Sequence, residues 1–394
     1  MSKERSPFSP GEPVQTEFFV GRDDQVKLVN RALMQAANRK PQYVFITGER
    51  GIGKSSLAAL AKELAEKEYG MVGAHASLGG ADSLGEACRR LYQALVTQLP
   101  DKGLYEKAKE VFSKFIDKID LFGLGVEFRR DDASRKAMAE SFIPMLFRAN
   151  QAFQEAGKKG MLLIADDLNG VVRDPQFAHF LKSTVDQIAV GPQRDFPWVL
   201  MLVGVEERME DMRAQQPSVV RIFQYIDLPP LEKRLARDFF AKTFQSVNHT
   251  CDDEAMELMA SAAGGFPVVW HEIGDAVFWK DDDMRISVAD AQAGIQVAAE
   301  AVGRKYLRPF YEELKNPAYP RILDYIATLQ DARVSRSDAL GNLPQDDEKY
   351  FDYFVQKMKK MRVLRQLAAG EYQFTSPLYW MYIVLQASAS RDEE

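Results

Sequence analysis

Three apolar runs stand out from a chain whose other apolar residues recur at helical spacing. They are Tyr43, Val44, Phe45, Ile46 and Thr47; Met161, Leu162, Leu163, Ile164 and Ala165; and residues 196–204 around Trp198, Val199, Leu200, Met201, Leu202 and Val203. None alternates with polar residues, as strands buried on both faces of a parallel sheet require. A shorter run from Met71 to Ala76 predicts a further strand. Between them, Val26, Leu28, Val29, Leu33 and Ala36 share one helix face, with Asp23 or Asp24 as the expected N-cap. Leu57, Leu60, Ala61 and Leu64 do the same over residues 55–69, where Gly70 supplies the stop. Leu84, Cys88, Leu91 and Leu95 mark a helix over 83–99, and 134–156 predicts another. Strands alternating with helices predict an α/β domain.

Past residue 230 the pattern changes. Residues 232–281 read as helical, with Gly264, Gly265 and Phe266 breaking the run and Pro267 opening a new helix. Asp281, Asp282 and Asp283 predict an acidic surface turn, and 287–311 a further helix. Three short helices follow, at 317–329, 335–343 and 346–361, with Ser335 as the cap of the second. Gly370 then turns a hairpin between Arg365, Gln366, Leu367 and Tyr372, Gln373, Phe374, and a closing helix runs to about residue 385. Three helices plus a β-wing is the winged-helix arrangement. Residues 1–18, with Pro7, Pro10 and Pro13, read as an extended arm over the surface, and 100–132 as a polar, partly helical insert whose apolar patch at 121–126 faces the core, with a short hairpin or a contact surface as the alternative.

Composition narrows the partners. The net charge of −6 over 394 residues gives no general pull toward nucleic acid, so such binding would need a local patch. Cys88 and Cys251 form neither a metal nor a redox motif and predict reduced thiols in a cytoplasmic protein. No apolar segment follows Met1 as a secretory signal would, and no run is long enough to span a membrane.

The chemistry begins where the first apolar run ends. Gly48, Glu49, Arg50, Gly51, Ile52, Gly53, Lys54 and Ser55 match G-x-x-x-x-G-K-[ST], the phosphate loop. Its glycines let backbone N–H groups line a concavity for phosphate oxygens, Lys54 meets the β/γ phosphates, and the Ser55 hydroxyl is placed for Mg²⁺. The helix that starts at Ser55 and Ser56 points its positive end at the same phosphates. At the end of the second run, Asp166 suits Mg²⁺ and Asp167 suits a general base for the attacking water. Arg221 is a candidate charge-stabilising arginine acting on a neighbouring subunit's nucleotide; its alternative is a surface salt bridge. Lys357, Lys359, Lys360 and Arg362 are candidate contacts for double-stranded DNA. Asp346, Asp347, Glu348 and Asp352 stand on the same helix and would repel phosphates, which leaves protein contact, or a plain structural role in which the cationic end complements the helix dipole, as the alternative.

Together these motifs resemble the AAA+/STAND superfamily of P-loop ATPases, most closely the branch similar to origin-recognition and initiator ATPases. The resemblance runs from Pro13 to about Leu385, carried by Phe19-Val20-Gly21-Arg22, the phosphate loop, Ile164-Ala165-Asp166-Asp167, Arg221 before Leu228-Pro229-Pro230-Leu231, Gly264-Gly265-Phe266-Pro267 and the winged helix. It implies a five-stranded parallel sheet, a helical lid and a winged helix. The expected division is an arm at 1–18, an α/β ATPase domain at 19–230, a lid at 231–305, a winged helix at 306–386 and a polar tail at 387–394. Val20 and Arg22 would line the adenine and ribose side, and Pro267 would contact the base from the lid. ATP and ADP states would differ in lid angle and oligomer contacts. Three departures stand against the family pattern: no Asn, Ser or Thr sensor follows Val203-Gly204, where Glu206 stands; the lid lacks an arginine; and Asp167 replaces a longer Glu. They predict slow hydrolysis. The expectation is an ATP- and Mg²⁺-dependent switch that self-associates with nucleotide and acts on DNA. The alternatives are a STAND-type signalling or defence ATPase whose winged helix meets an unknown protein, and a nucleotide-binding pseudo-ATPase.

Overall fold

The computed structural model describes residues 4–12, 14, 19–98, 103, 106, 132–191, 194–308, 316–329 and 332–392. The apolar patch expected at 121–126 lies outside them. The chain packs as two compact units, Arg22–Pro229 and a second made of Met1–Gly21 with Pro230–Glu394; the expected lid and winged-helix segments share that second unit.

The first unit is built on five strands, each parallel to its neighbours: β1 (Gln42–Gly48), β2 (Val72–Ser77), β3 (Met161–Asp166), β4 (Trp198–Val203) and β5 (Gln224–Leu228). Their spatial order is β2-β3-β4-β1-β5, so the three apolar runs of the sequence are the three inner strands. β4 is buried at every position, whereas the edge strand β5 exposes Gln224, Tyr225 and Asp227 and carries no apolar run to announce it. Helices α1 (Asp23–Ala37) and α2 (Lys54–Lys67) pack on one face of the sheet, over Val44, Ile46, Leu162 and Ile164. On the other, Phe45, Leu163, Leu200 and Leu202 share a core with α3 (Leu84–Thr97), α4 (Asp132–Glu155), α5 (Pro175–Val190) and α6 (Glu206–Gln215). Cover on both faces is what removes alternation from the inner strands.

Local details depart from expectation in places. Neither Asp23 nor Asp24 caps α1: Arg22 takes that position, and both carboxylates sit in the first turn, where they complement the helix dipole. Gly70 does close α2, at φ 62°, with the Met71 N–H donating back to the Ala65 carbonyl at 2.8 Å. Past α3, the Gln98 side chain accepts from His75 N–H at 3.0 Å and donates to the His75 carbonyl at 2.7 Å, along the outer side of β2.

The second unit holds α7 (Lys233–Ser246), α8 (Asp253–Ala263), α9 (Pro267–Lys280) and α10 (Val288–Tyr306). Pro267 opens α9 at its first turn, as expected. The stretch 232–281 is not helical throughout: β6 (Thr250–Cys251) pairs in parallel with β7 (Arg285–Ile286), two residues each and too short to leave a pattern. The acidic triplet is not simply solvated either. Asp281 is buried, its carboxylate accepting from the N–H groups of Asp283, Met284 and Arg285 at 3.1–3.3 Å and lying 3.2 Å from His249 Nε2. Three backbone donors replace the water it would otherwise need.

Farther along come α11 (Ala318–Ala327), α12 (Arg336–Asn342), α13 (Gln345–Lys360) and α14 (Pro377–Asp392). The expected hairpin, β9 (Leu364–Ala368) with β10 (Glu371–Phe374), is joined by a third strand, β8 (Arg333–Ser335), in the antiparallel order β8-β10-β9. Ser335 accepts from the Asp338 N–H, the predicted cap. Ile322, Phe351, Phe354, Met358 and Leu364 fill the core beneath.

The arm is more than a surface strap. Phe8 is buried among Phe239, Phe240 and Phe244, with ring centroids at 5.9, 6.3 and 5.0 Å. Beside it the Ser9 N–H donates to His271 Nδ1 at 3.0 Å, and burial pushes that imidazole down to about 4. The folded chain therefore keeps His271 neutral where the unfolded chain would protonate it. Its contribution to stability is complete above about pH 6.5 and is lost as pH falls toward about 4. Thermal melts across that window are expected to show a steeper fall for the wild type than for His271→Asn, whose amide oxygen accepts from Ser9 without titrating.

Candidate functional site

β1 delivers the phosphate loop to the C-terminal edge of the sheet, where open α/β sheets bind ligands. Gly48, Gly51 and Gly53 take φ values of 142°, 76° and 100°, backbone that a side chain resists. At Gly48 there is no room in any case: a Cβ would fall 2.8 Å from the Leu228 carbonyl oxygen. Ile52 is fully buried and pins the loop from below. Lys54 is the first residue of α2, and its Nζ donates to the carbonyls of Gly48 at 3.0 Å and Glu49 at 2.7 Å. Ser55 and Ser56 follow in the first turn.

Asp166 ends β3, opposite Val203 of β4, which also faces Ile46 of β1; the register thus sets the carboxylate level with the approach to the loop. Its side chain is 13% exposed. It accepts at 2.8 Å from the Asp167 N–H, and His75 Nε2 lies 3.1 Å away. Burial pushes its carboxyl up, but the neighbouring His75 and Ser55 side chains and the Asp167 N–H outweigh that and hold it below the ordinary carboxylate range. It is ionised at neutral pH. Asp167 takes φ 58°, and Leu168 behind it is fully buried, so the chain turns sharply while the side chain stays at the edge. Asn169 Nδ2 donates to Asp167 Oδ1, and Arg208 Nε donates to Asn169 Oδ1 at 3.2 Å.

Arg22 does something the sequence reading did not foresee. It is buried, Nη1 donating to the Pro229 carbonyl at 2.7 Å and Nη2 to the Ile52 carbonyl at 3.2 Å. Burial lowers its pKa to about 10 against the pull of Asp227, which leaves it charged. Instead of presenting an open guanidinium to a ribose, it braces the phosphate loop against the end of β5. Arg22→Ala strands two carbonyls and is expected to lower stability by about 1–3 kcal/mol and to weaken ADP binding in a titration. Arg22→Lys, which cannot reach both carbonyls, is expected to rescue neither.

The other predicted residues are not gathered here. Arg221 is exposed on a short 3₁₀ turn before β5, with no ion-pair partner among the described residues. Val20 and Pro267 belong to the second unit, as do Lys357, Lys359, Lys360 and Arg362. The exposed stripe of α13 runs through Asp346, Lys349, Asp352, Tyr353, Gln356 and Lys360, whereas Lys357 and Lys359 are half-buried. Lys359 turns to Gln366 on β9 at 2.8 Å.

Three residues of the site escape sequence reasoning. His75 reaches Asp166 only through the pairing of β2 with β3, which brings together residues 91 apart. Arg208 depends on the close of β4 against β3. Asn169 alone had a local signal, two positions past Asp167.

Two hard oxygen donors, Ser55 and Asp166, beside a glycine-lined cradle fit a magnesium ion shared with phosphate oxygens. Among the described residues no cluster of three or more His, Cys, Asp or Glu side chains is placed to hold a metal, and a magnesium site completed by phosphate and water needs none. No helix among them is long and apolar enough to cross a membrane.

The sequence model of the AAA ATPase domain family matches residues 19–190. Over those residues the chain is similar to an AAA ATPase domain. The match takes in α1, the phosphate loop, Asp166, Asp167 and all of α5. No curated protein matches the chain. Solved structures do, over almost their whole length. The Walker-type ATPase paby2304 of Pyrococcus abyssi shows 17% identity and a TM-score of 0.59, over 96% of this chain and 99% of that one. The ORC2 protein of Aeropyrum pernix, solved as ADPNP-ADP complexes, shows 14% and 0.61, over 100% and 99%. Cdc6p of Pyrobaculum aerophilum shows 14% and 0.50, over 98% of each. At such identities the likeness is one of fold: a P-loop AAA+ sheet followed by a C-terminal unit.

Proposed function

We propose that this chain binds ATP with Mg²⁺, hydrolyses it slowly, and serves as a nucleotide-dependent switch. The observation that supports the reading best is the glycine-lined phosphate loop running from β1 into α2, with Lys54 and Ser55 in the helix's first turn and the Asp166 carboxylate at the same edge of the sheet. Lys54 meets the β/γ phosphates, and Ser55 and Asp166 hold the magnesium ion. When bound, that ion neutralises phosphate charge and orients the terminal phosphoryl group. Asp167 accepts a proton from water as the water oxygen bonds to the γ-phosphorus. The bond from that phosphorus to the bridging oxygen breaks, ADP leaves with that oxygen, and the proton passes to phosphate or solvent. Asp167 is a short base, no polar sensor follows β4 directly, and α9 opens without an arginine; all three support a slow rate. Arg221, exposed and without an ion-pair partner among the described residues, is available to a neighbouring subunit's nucleotide when copies assemble on ATP.

The second unit carries a winged-helix module as the candidate output. The stripe its third helix presents mixes Asp346 and Asp352 with Lys349, Lys360 and Tyr353, the last 69% exposed. That mixture favours a protein partner, as in a STAND-type switch, over duplex DNA, whose binding calls for a uniformly basic face.

The deciding experiment is ATP turnover with and without duplex DNA, with Lys54→Ala as blank. Slow turnover indifferent to DNA is the expected result. Stimulation by DNA that weakens steeply with salt would instead make the module a DNA reader, through Lys360 and its neighbours. No turnover above the blank, with ATP still bound, would overturn the enzyme reading and leave nucleotide as a structural ligand.

A further inference from the structure

Hydrolysis asks a general base to hold one orientation, and Asp167 has few reasons of its own to do so. It lies in the left-handed region at φ 58°, an arrangement that persists only where the surroundings over-determine it. The surroundings here are specific. Asn169 Nδ2 donates to one carboxylate oxygen, Oδ1. Arg208 Nε donates to Asn169 Oδ1 at 3.2 Å, which settles which end of the amide faces Asp167. Arg208 is itself held by an ion pair from Nη1 to Asp211, one turn along α6. The other oxygen, Oδ2, rests against Gly79: a Cβ there would come within 2.5 Å of it. That wall is fixed in turn, since Arg90 Nη1 donates to the carbonyls of Gly79 at 2.6 Å and Ser77 at 3.2 Å. Between Asp167 and Asn169, Leu168 is fully buried and keeps both polar side chains on the same edge.

We propose that Asn169 and Arg208 are positioning residues that aim Asp167 at the attacking water. The inference rests on the reading of Asp167 as general base. It also answers a gap left by the sequence: Glu206 and Glu207 stand where a polar sensor would follow β4, yet α6 still reaches the base, one turn later, through Arg208. The side chain acts at one remove, with the Asn169 amide as the intermediary. Neither residue is needed to hold nucleotide, because the loop, Lys54, Ser55 and Asp166 do that.

The test is steady-state ATP turnover and ADP affinity for Asn169→Ala, Asn169→Ser, Arg208→Ala, Arg208→Lys and the double variant Asn169→Ala/Arg208→Ala, beside Asp167→Asn and the wild type. Each single variant is expected to lower kcat about tenfold, with KM for ATP, the ADP Kd and the thermal midpoint little changed. Arg208→Lys should not rescue, since an ammonium cannot serve Asn169 and Asp211 in the fork geometry. The double variant should be no worse than the worse single, because both act along one chain of bonds. Wild-type kcat in the singles, a fall in kcat matched by a loss of ADP affinity, or fully additive effects would each overturn the proposal. Failure of the underlying reading is a separate result: Asp167→Asn turning over at the wild-type rate would remove the base itself, and the positioning role with it.

Discussion

Replacing Lys54 by alanine is expected to lower ATP turnover about a hundredfold to a thousandfold, while the fold survives. The ammonium caps the loop through the Gly48 and Glu49 carbonyls, at 3.0 and 2.7 Å, so it already stands where the backbone turns inward. Both carbonyls belong to half-buried loop residues and can take water in its place, so the thermal midpoint should barely move. What cannot be replaced is the positive charge on the phosphate oxygens as the γ-phosphoryl group departs. ATP should therefore lose more affinity than ADP, and kcat should fall further than affinity. Lys54→Arg should fail as well, because a planar guanidinium does not occupy the position of a compact ammonium. Turnover by phosphate release and paired ATP and ADP titrations check all three statements. Equal loss of ATP and ADP affinity with unchanged kcat would mean the loop grips nucleotide without acting on it.

Phe8→Ala is expected to be the most damaging single change outside the nucleotide site. The ring is buried to 4% exposure within a nest of aromatic side chains, and Gly274 makes the room: a Cβ there would fall 2.2 Å from the ring. Emptying that nest should cost about 3–5 kcal/mol, seen as a lower midpoint in chemical denaturation of the full chain. It should also free the arm, because the Ser9 bond to His271 is a single contact that Phe8 holds in place. Limited proteolysis before residue 20 should then outpace any cleavage within the first unit. Gly274→Ala approaches the same contact from the other side and should release the arm similarly. An unchanged midpoint and an arm still protected would show that Phe8 anchors nothing.

The parts of this molecule that are legible in its sequence are those whose determinants are local. The phosphate loop is read directly, since each glycine and Lys54 has its reason within eight positions. The inner strands are read from unbroken apolar runs, a consequence of helices on both faces, and the α13 and β9–β10 segment from spacing and one glycine. What is not legible depends on partners distant in sequence. His75 is an ordinary strand residue until β2 pairs with β3. Asp281 reads as solvated because its three N–H donors are backbone and leave no trace in residue type. Phe8 is a lone aromatic among prolines, and one side chain has no periodicity. Arg22 carries its motif openly, but its partners are carbonyls of Ile52 and Pro229, which any residue could supply.

The bond that Gln98 makes to both polar groups of His75 bears on solubility. β2 is an outer strand of the sheet, and an outer strand with free N–H and C=O groups is a template on which another chain can polymerise. A side-chain amide closes that template at the middle of the strand, and Lys62, donating to the same Gln98 oxygen at 2.9 Å, adds a charge beside it. The opposite border is guarded by other means: β5 exposes Asp227, whose carboxylate would have to be dehydrated by any incoming strand. Removing the guard with Gln98→Ala should leave the monomer folded and show its cost only in concentrated solution, as slow, nucleotide-independent growth of light scattering.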